Sequence, residues 1–194
     1  MKGFDFLNLQ WSKMKNDNFY EPFDEKRKAI LGFWLVKQGI DLDNIPPIFN
    51  ECFSYFKKSE CNNKKFQERK VFLNNITGTS HQDYGNMEII KSFIRLKRAQ
   101  FYILNDSVTK IKYTKLLKKT VKEQTVPIYL SQNADGSYYV DGQGNHRVIF
   151  YKMMLLSEIV SKNNYILNQG YTLNINSFQD ICKKYWLNAY IKTE

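Results

Sequence analysis

The chain has 194 residues, and its 43% hydrophobic and 15% aromatic content excludes a disordered polypeptide. The net charge of +10 at pH 7 favours polyanionic partners such as nucleic acid, nucleotides or acidic lipid, although excess lysine also occurs on solvated surfaces. No apolar run approaches the roughly 18 residues of a membrane helix, and the N-terminus lacks a secretory signal pattern, so a cytoplasmic protein without a membrane partner is expected.

Residues 1–85 are predicted to form a helical N-terminal region. Apolar residues at helical spacing follow Asp24, a suitable N-cap, and Gly39 is expected to end that helix. Two prolines make residues 41–47 a connector. A second amphipathic helix is predicted next from four residues at i, i+3, i+4 and i+7, namely Phe49, Cys52, Phe53 and Phe56.

Residues 57–86 contain two predicted loops, and the second, at 77–86, is expected to lie between two parts of the protein. Residues 57–65 are polar and indicate a loop, and residues 66–76 are compatible with either a helix or a strand. Turn-forming residues dominate 77–86, which predicts a second loop. Its His81 is interpreted as a solvated side chain, since a lone histidine is a weak sign of a site. Asn86 is expected to cap a further helix.

Residues 86–194 are predicted to form a second, α+β domain with a small mixed sheet and packed helices. A strand is expected at 100–104, followed by an amphipathic helix over 112–123. One side of that helix would carry five lysines, Lys112, Lys115, Lys118, Lys119 and Lys122. Such a face is usually solvated, but like charges at helical spacing repel and a polyanion such as DNA would relieve the repulsion.

The pattern from residue 126 onward predicts a hairpin followed by a buried helix. Residues 126–130 suit a strand, with Pro127 favouring a sheet edge or the first strand position, and a turn at 133–136 leads to a return strand at 138–140. Residues 148–160 are apolar almost all round, which is typical of a helix packed on a sheet. In the tail, a strand is expected at 171–175 and a helix from Ser177.

The junction between the return strand and the buried helix, DGQGNHR, predicts an anion site. Glycines permit positive φ and close approach of a ligand to the backbone, Asn145 can cap the helix, and a helix N-terminus favours negative charge. His146 can donate a proton or hydrogen bond, and Arg147 can grip two phosphate oxygens. The alternative is a capped glycine turn with exposed polar residues. The predicted phosphate-binding residues are Gly142, Gln143, Gly144, Asn145, His146 and Arg147.

The order of PIYL, a DG turn, YYVDGQGNHRV and an apolar helix resembles the core of the ParB/sulfiredoxin superfamily. The resemblance covers Val126 to Met154, and a looser match reaches back to Ala99. It implies an α+β fold in which a Gly-rich motif at a helix start binds nucleotide phosphates. It also implies a nucleoside triphosphate with Mg²⁺ as cofactor, although the residues name no metal ligands.

The motif departs from each branch of that superfamily. Sulfiredoxins have a cysteine where Asn145 stands, so sulfinic acid reduction is not expected. ParB partition proteins have Glu-Arg-Arg and a downstream helix-turn-helix. Only about forty residues follow the buried helix here, so a full partition protein is not expected. Free serine kinases have a related Asp-Gly-His-Thr-Arg motif, which is two residues shorter before the final pair, and some relatives are described as nucleases.

We therefore expect a nucleotide- or DNA-phosphate-binding protein with a nucleotide or DNA as partner and a homodimer as its assembly. In an alternative, the same loop serves a phosphotransferase or phosphodiesterase, with His146, Arg147 and Asp141 as catalytic residues. A further alternative is a phage- or plasmid-type regulator or inhibitor that acts by protein contact. Three cysteines without a CxxC pair, Cys52, Cys61 and Cys182, predict buried free thiols.

Overall fold

The computed structural model describes residues 32–40, 45, 47–58, 65–96, 118–162 and 175–193. In this part of the chain, seven strands form one mixed sheet, and buried apolar residues of the strands and the helices form one core. No helix among these residues has the length and apolar character needed to span a membrane.

The sheet has the strand order β2–β7–β5–β6–β3–β1–β4. The neighbours β7–β5, β6–β3 and β3–β1 are parallel, and β2–β7, β5–β6 and β1–β4 are antiparallel. The sheet crosses the predicted boundary between residues 85 and 86. In chain order the strands are β1 (Cys52–Tyr55), β2 (Lys65–Phe72), β3 (Ile76–Thr79), β4 (Met87–Glu88), β5 (Tyr129–Gln132), β6 (Tyr138–Val140) and β7 (Trp186–Thr193).

Within the described residues, four α-helical segments and three 3₁₀ turns accompany the sheet. The segments are α1 (residues 32–37), α2 (Ile89–Ile94), α3 (Asn145–Lys162) and α4 (Ile175–Cys182). The 3₁₀ turns are Pro47–Asn50, Leu73–Asn75 and Val121–Glu123.

The centre of the core is α3, in which every residue from 148 to 160 is buried. Phe150 is fully buried, and its ring centroid lies 5.6 Å from that of Trp34 and 6.2 Å from that of Phe93. Removal of these rings from water supplies the main stabilisation of this layer. The predicted buried helix is therefore confirmed.

Two charged side chains of α3 are buried with partners. Lys152, 2% exposed, donates to Glu51 Oε1 at 2.9 Å and to the carbonyl of Ile76 at 2.8 Å. Further along the helix, the Glu158 carboxylate accepts a hydrogen bond from the hydroxyl of Tyr185, which precedes β7. Burial and this hydrogen bond raise the pKa of Tyr185. The polar groups of α3 therefore join it to the rest of the core.

The prediction of a helical N-terminal region is wrong at residues 52–55, 65–72 and 76–79, where the chain forms β1, β2 and β3. Of the four residues that predict the second helix, Phe49 and Phe53 are buried, Phe56 is half-buried and Cys52 is exposed. Pairing of β1 with both β3 and β4 satisfies its backbone, so the two buried phenylalanines reach the core from a 3₁₀ turn and a strand. The expected burial of the thiols is confirmed for Cys182 and wrong for Cys52.

Three local predictions are also corrected. The predicted loop at 77–86 begins inside β3, because Gly78 and Thr79 pair with β1 and β6. β5 is a central strand that begins at Tyr129, so Pro127 precedes it and marks no sheet edge. The predicted helix over 112–123 is absent at 118–123, where Thr120 and Glu123 cap each other around a separate 3₁₀ turn.

Other predictions agree with the structure or fall outside it. Gly39, with φ of 78°, follows the end of α1, and the hairpin β5–β6 lies where expected. A final helix is present as α4, which begins at Ile175, the residue where the last predicted strand should end. The predicted strand at 100–104, Cys61, and residues 112–117 and 171–174 lie outside the described residues.

Candidate functional site

The loop between β6 and α3 adopts a backbone that requires glycine. Gly142 has φ of 107° and Gly144 has φ of 117°, values that L-residues rarely adopt. A Cβ on Gly144 would also lie 3.0 Å from the side chain of Ile128, whereas Gly142 faces open space. The loop therefore brings its backbone to the N-terminus of the 18-residue helix α3.

Asn145 anchors this loop, and its predicted role as a side-chain cap of α3 is wrong. It is 6% exposed, and its Oδ1 accepts a hydrogen bond from the Thr79 hydroxyl of β3. Its Nδ2 donates to the carbonyl of Gly142 at 3.0 Å. The side chain thus ties the loop to the neighbouring strand instead of accepting from the first turn of α3.

Asp141 is also occupied by contacts within the fold. Its carboxylate accepts hydrogen bonds from Ser131 Oγ at 2.9 Å and Ser80 Oγ at 3.3 Å, and Lys192 Nζ lies 3.9 Å away. The Asp141 side chain is only 5% exposed. These contacts hold the end of β6 against β5, β7 and the residue that follows β3.

The same contacts bear on the expected Mg²⁺. Asp141 is the only acidic residue of the motif, and its oxygens already receive two hydroxyl donors and one ammonium group. Among the described residues, no group of three His, Cys, Asp or Glu side chains is arranged to hold a metal ion. These residues do not fit a protein-held Mg²⁺, so a divalent ion at this loop would be one that arrives with a nucleotide.

A cavity of about 580 Å³ opens beside the loop. Its walls come from the turn that holds His81 and Tyr84, from residues of the 119–126 segment, from residues 142–147, and from Tyr151. Lys119 and Arg147 line it, and none of the described lining residues is acidic. The cavity therefore carries the positive potential that an anion requires.

Tyr84 and His146 form a close pair in this cavity. Tyr84 Oη lies 2.7 Å from His146 Nε2, and the two rings meet edge to face with centroids 5.6 Å apart. His146 Nδ1 is buried. Both residues line the cavity, so a ligand there would lie beside this pair.

His81, which sequence reasoning treated as a solvated loop residue, lies at the same site. Its ring centroid is 5.1 Å from that of Tyr84, and its carbonyl accepts the Tyr84 amide hydrogen at 3.1 Å. The chain has only two histidines, and both line this cavity. Neither Tyr84 nor the position of His81 was predicted, because no local pattern connects residues 81–84 with residue 146.

Arg147 is held at the cavity wall by a chain of contacts. Its Nη1 donates to Gln124 Oε1 at 3.4 Å, and Gln124 Nε2 donates to the carbonyl of Asn188 in β7 at 2.8 Å. The predicted phosphate-binding loop is thereby connected to the sheet through Gln124, which follows the 3₁₀ turn Val121–Glu123. We call residues 118–124 the 3₁₀ segment. Gln124 is a further site residue that the sequence did not indicate.

The predicted lysine face is divided by the structure. Lys119 lines the cavity, Lys118 Nζ lies 5.8 Å from the Trp186 ring centroid, and Lys122 is exposed on the 3₁₀ turn. Lys112 and Lys115 lie outside the described residues. The three described lysines do not share one helical face, because the chain is not α-helical at 118–122.

No protein-family model, curated protein or solved structure matches this chain. The resemblance to the ParB/sulfiredoxin superfamily therefore stays a hypothesis based on residues 126–154. The described residues themselves show a mixed α/β fold with a seven-stranded sheet.

Proposed function

We propose that the chain is a ParB/sulfiredoxin-like protein that binds the phosphates of a nucleotide or of DNA in the cavity at the β6–α3 junction. The observation that carries this proposal is the pair of positive-φ glycines at the N-terminus of α3, beside Arg147 and Lys119. Backbone N–H groups of a first helical turn have no acceptor four residues back, and the helix dipole favours an anion there.

The volume and charge of the cavity support a nucleotide-sized ligand. A cavity of about 580 Å³ falls within the range of roughly 300–1,000 Å³ that is typical of small-molecule sites. Arg147 would grip two phosphate oxygens, while Lys119 would add a second cation across the cavity. Asp141 and Asn145 hold the loop in shape and need not touch the ligand.

Thermal unfolding in the presence of nucleotides tests the proposal. ATP, CTP, GTP and their diphosphates, each with and without Mg²⁺, should raise the melting temperature, because a ligand of the folded state stabilises it. Arg147→Gln should reduce the shift. Arg69→Gln is the matched control, since Arg69 is exposed on β2 and bonds Gln67 outside the cavity.

DNA binding has its own test. If phosphate contacts dominate, affinity must fall as salt rises, because bound cations are released from DNA. Affinity that does not change between about 50 and 200 mM salt would contradict phosphate recognition. Failure to bind any nucleotide or DNA at low salt would instead favour a regulator that acts by protein contact.

The Tyr84–His146 pair favours a second candidate, a phosphotransferase or phosphodiesterase. In such a reaction Tyr84 would exchange a proton with the ligand, and His146 would take or return that proton across the 2.7 Å contact. Turnover of a nucleotide or DNA should then be lost in His146→Ala and in Tyr84→Phe, while nucleotide binding is partly retained. Full turnover by either variant would exclude this mechanism.

A further inference from the structure

The sheet face opposite the helices carries a row of aromatic and basic side chains, and its rings are partly exposed. Side chains alternate along a strand, so one side of β2 presents Phe66, Glu68, Lys70 and Phe72. The residues opposite them in β7 are Lys192, Tyr190, Asn188 and Trp186. Tyr129 of β5 pairs with Tyr190 and extends the row to a third strand.

Ring contacts show that these side chains share one face. Phe66 lies 5.2 Å from Tyr129 and 6.2 Å from Tyr190 between ring centroids. At the other end of β2, Lys70 Nζ is 4.5 Å from the Trp186 centroid and 5.2 Å from that of Phe72. We call the set of Phe66, Lys70, Phe72, Tyr129, Trp186 and Tyr190 the aromatic face.

The aromatic face does not belong to the core. The core side of β7 consists of Leu187, Ala189 and Ile191, which are 1%, 0% and 1% exposed. By contrast Phe66 is 42% exposed, and the other four rings of the face are half-buried. Five partly exposed rings on adjacent strands form an apolar surface of the kind that marks an interaction site.

The charges around this face are suited to a polyanion. Lys70 and Lys118 are exposed and lie over its rings, in a chain with a net charge of +10. Its carboxylate, Glu68, accepts the amide hydrogen of Val121 at 3.0 Å and is thereby engaged with the 3₁₀ turn. Flat rings with adjacent lysines match unpaired bases joined by phosphates, since every base has a face that can stack.

We propose that the aromatic face binds single-stranded nucleic acid. Phe66 and Tyr190 stack on bases at one end of the face and Trp186 stacks on a base at the other end, where Lys70 and Lys118 contact phosphates. Duplex DNA is a poorer partner, because its bases are stacked on each other and do not expose their faces. Single-stranded DNA and RNA share the recognised chemistry, and the experiment below separates them.

The 3₁₀ segment connects this face with the cavity. Lys118 lies over Trp186, whereas the next residue, Lys119, lines the cavity. Gln124 bonds Asn188 of β7 on one side and Arg147 on the other. A nucleic-acid strand on the aromatic face would thus place one of its phosphates near the cavity. This placement rests on the proposed function, whereas stacking of bases on the face does not.

Fluorescence anisotropy with labelled dT₁₂ and U₁₂, and with a duplex of equal length, tests the proposal on the full chain. One or both single strands should bind tighter than the duplex. Phe66→Ala and Tyr190→Ala should each weaken that binding by about 5- to 100-fold, the loss expected for one stacked base. A preference between dT₁₂ and U₁₂ identifies the nucleic acid.

Matched variants separate stacking from simple apolarity or charge. Phe66→Tyr should retain affinity, whereas Phe66→Leu should lose it, because only an aromatic ring stacks. Phe33→Ala is the control, since Phe33 on α1 is 72% exposed and lies outside the aromatic face. Urea unfolding of each variant shows whether it remains folded.

The outcomes distinguish the face from the cavity. Oligonucleotide binding that depends on Phe66 but persists in Arg147→Gln supports the face, even if nucleotides fail to bind the cavity. Nucleotide binding without oligonucleotide binding overturns the face and leaves the cavity. Equal affinity for duplex and single strands, or binding unaffected by Phe66→Ala and Tyr190→Ala, also overturns it, because general charge attraction would then suffice.

Discussion

The two faces of β7 show how one strand serves two different purposes. Leu187, Ala189 and Ile191 point to the helices and are buried, whereas Trp186 and Tyr190 between and beside them remain partly exposed. Both sets are apolar or aromatic, so hydrophobicity alone does not separate them. The side covered by α3 stabilises the fold. On the other side, residues 119–121 contact the Glu68 and Asn188 side chains, and the partly exposed rings are available for contacts.

Charged residues differ between the two faces in the same way. On the covered side, Lys152 and Glu158 are buried and each has a specific partner, Glu51 and Tyr185. On the open side, Lys70 and Lys118 lie over rings and stay exposed. Substitutions on the covered side should therefore change stability, and those on the open side should change binding.

The largest effect is expected from Phe150→Ala on the covered side. It removes a fully buried ring that contacts Trp34 and Phe93, so the free energy of unfolding should fall by about 3–5 kcal/mol. Phe66→Ala on the open side should cost less than about 1 kcal/mol. Urea denaturation of both variants measures the contrast, and similar losses would contradict the assignment of the two faces.

The buried pair of Lys152 and Glu51 should respond asymmetrically. Glu51→Ala leaves the Lys152 ammonium buried with the Ile76 carbonyl alone, so the free energy of unfolding should fall by about 2–4 kcal/mol. Lys152→Met should cost less than about 1.5 kcal/mol, because the half-exposed Glu51 can be hydrated. The opposite order in urea denaturation would show that burial of the Lys152 charge does not control the stability of this pair.

Tyr185→Phe should lower the free energy of unfolding by about 1–3 kcal/mol, because the Glu158 carboxylate loses a buried donor. Burial and the contact with Glu158 raise the pKa of Tyr185 in the folded state. The unfolded state therefore releases this proton first, and stability should fall as pH rises above about 10. The variant should show a smaller decline over that range in denaturation at several pH values.

The smallest effect on stability is expected from Lys70→Ala on the open side. Because Lys70 is exposed and lies over the rings of Phe72 and Trp186, its removal should change the free energy of unfolding by less than about 0.5 kcal/mol. Affinity for dT₁₂ or U₁₂ should fall, and its salt dependence should weaken, because one phosphate contact is lost. Unchanged salt dependence would remove Lys70 from the proposed interface.

Local patterns predicted the second half of the fold better than the first. The hairpin and the buried helix α3 have strong signals, a glycine turn at 133–136 and an apolar run at 148–160. Residues 49–56 satisfy helical spacing, yet residues 52–55 form a strand in which only Phe53 is buried. Pairing with β3 and β4 decided between the two, and both partners are distant in the sequence.

The sequence indicated the glycine-rich loop of the candidate site. It did not indicate the other residues that line the cavity. Gly142 and Gly144 were indicated by residue type, since only glycine adopts their φ values without strain. Tyr84, His81 and Gln124 gave no such signal, because they approach the loop only after β3 and the 3₁₀ segment are in place. The roles expected of His146, Arg147 and the bound phosphate stay predictions.

By itself, the sequence determined the glycine-rich junction of strand and helix, the buried character of α3 and the excess of positive charge. These properties depend on residue type and on short spacings along the chain. Only the tertiary structure decided that Tyr84 meets His146, 62 positions away, that Asp141 is held by Ser131, Ser80 and Lys192, and that the lysines divide between a cavity and an aromatic face. Contacts of this kind form when distant strands pair, and no local periodicity specifies which strands become neighbours.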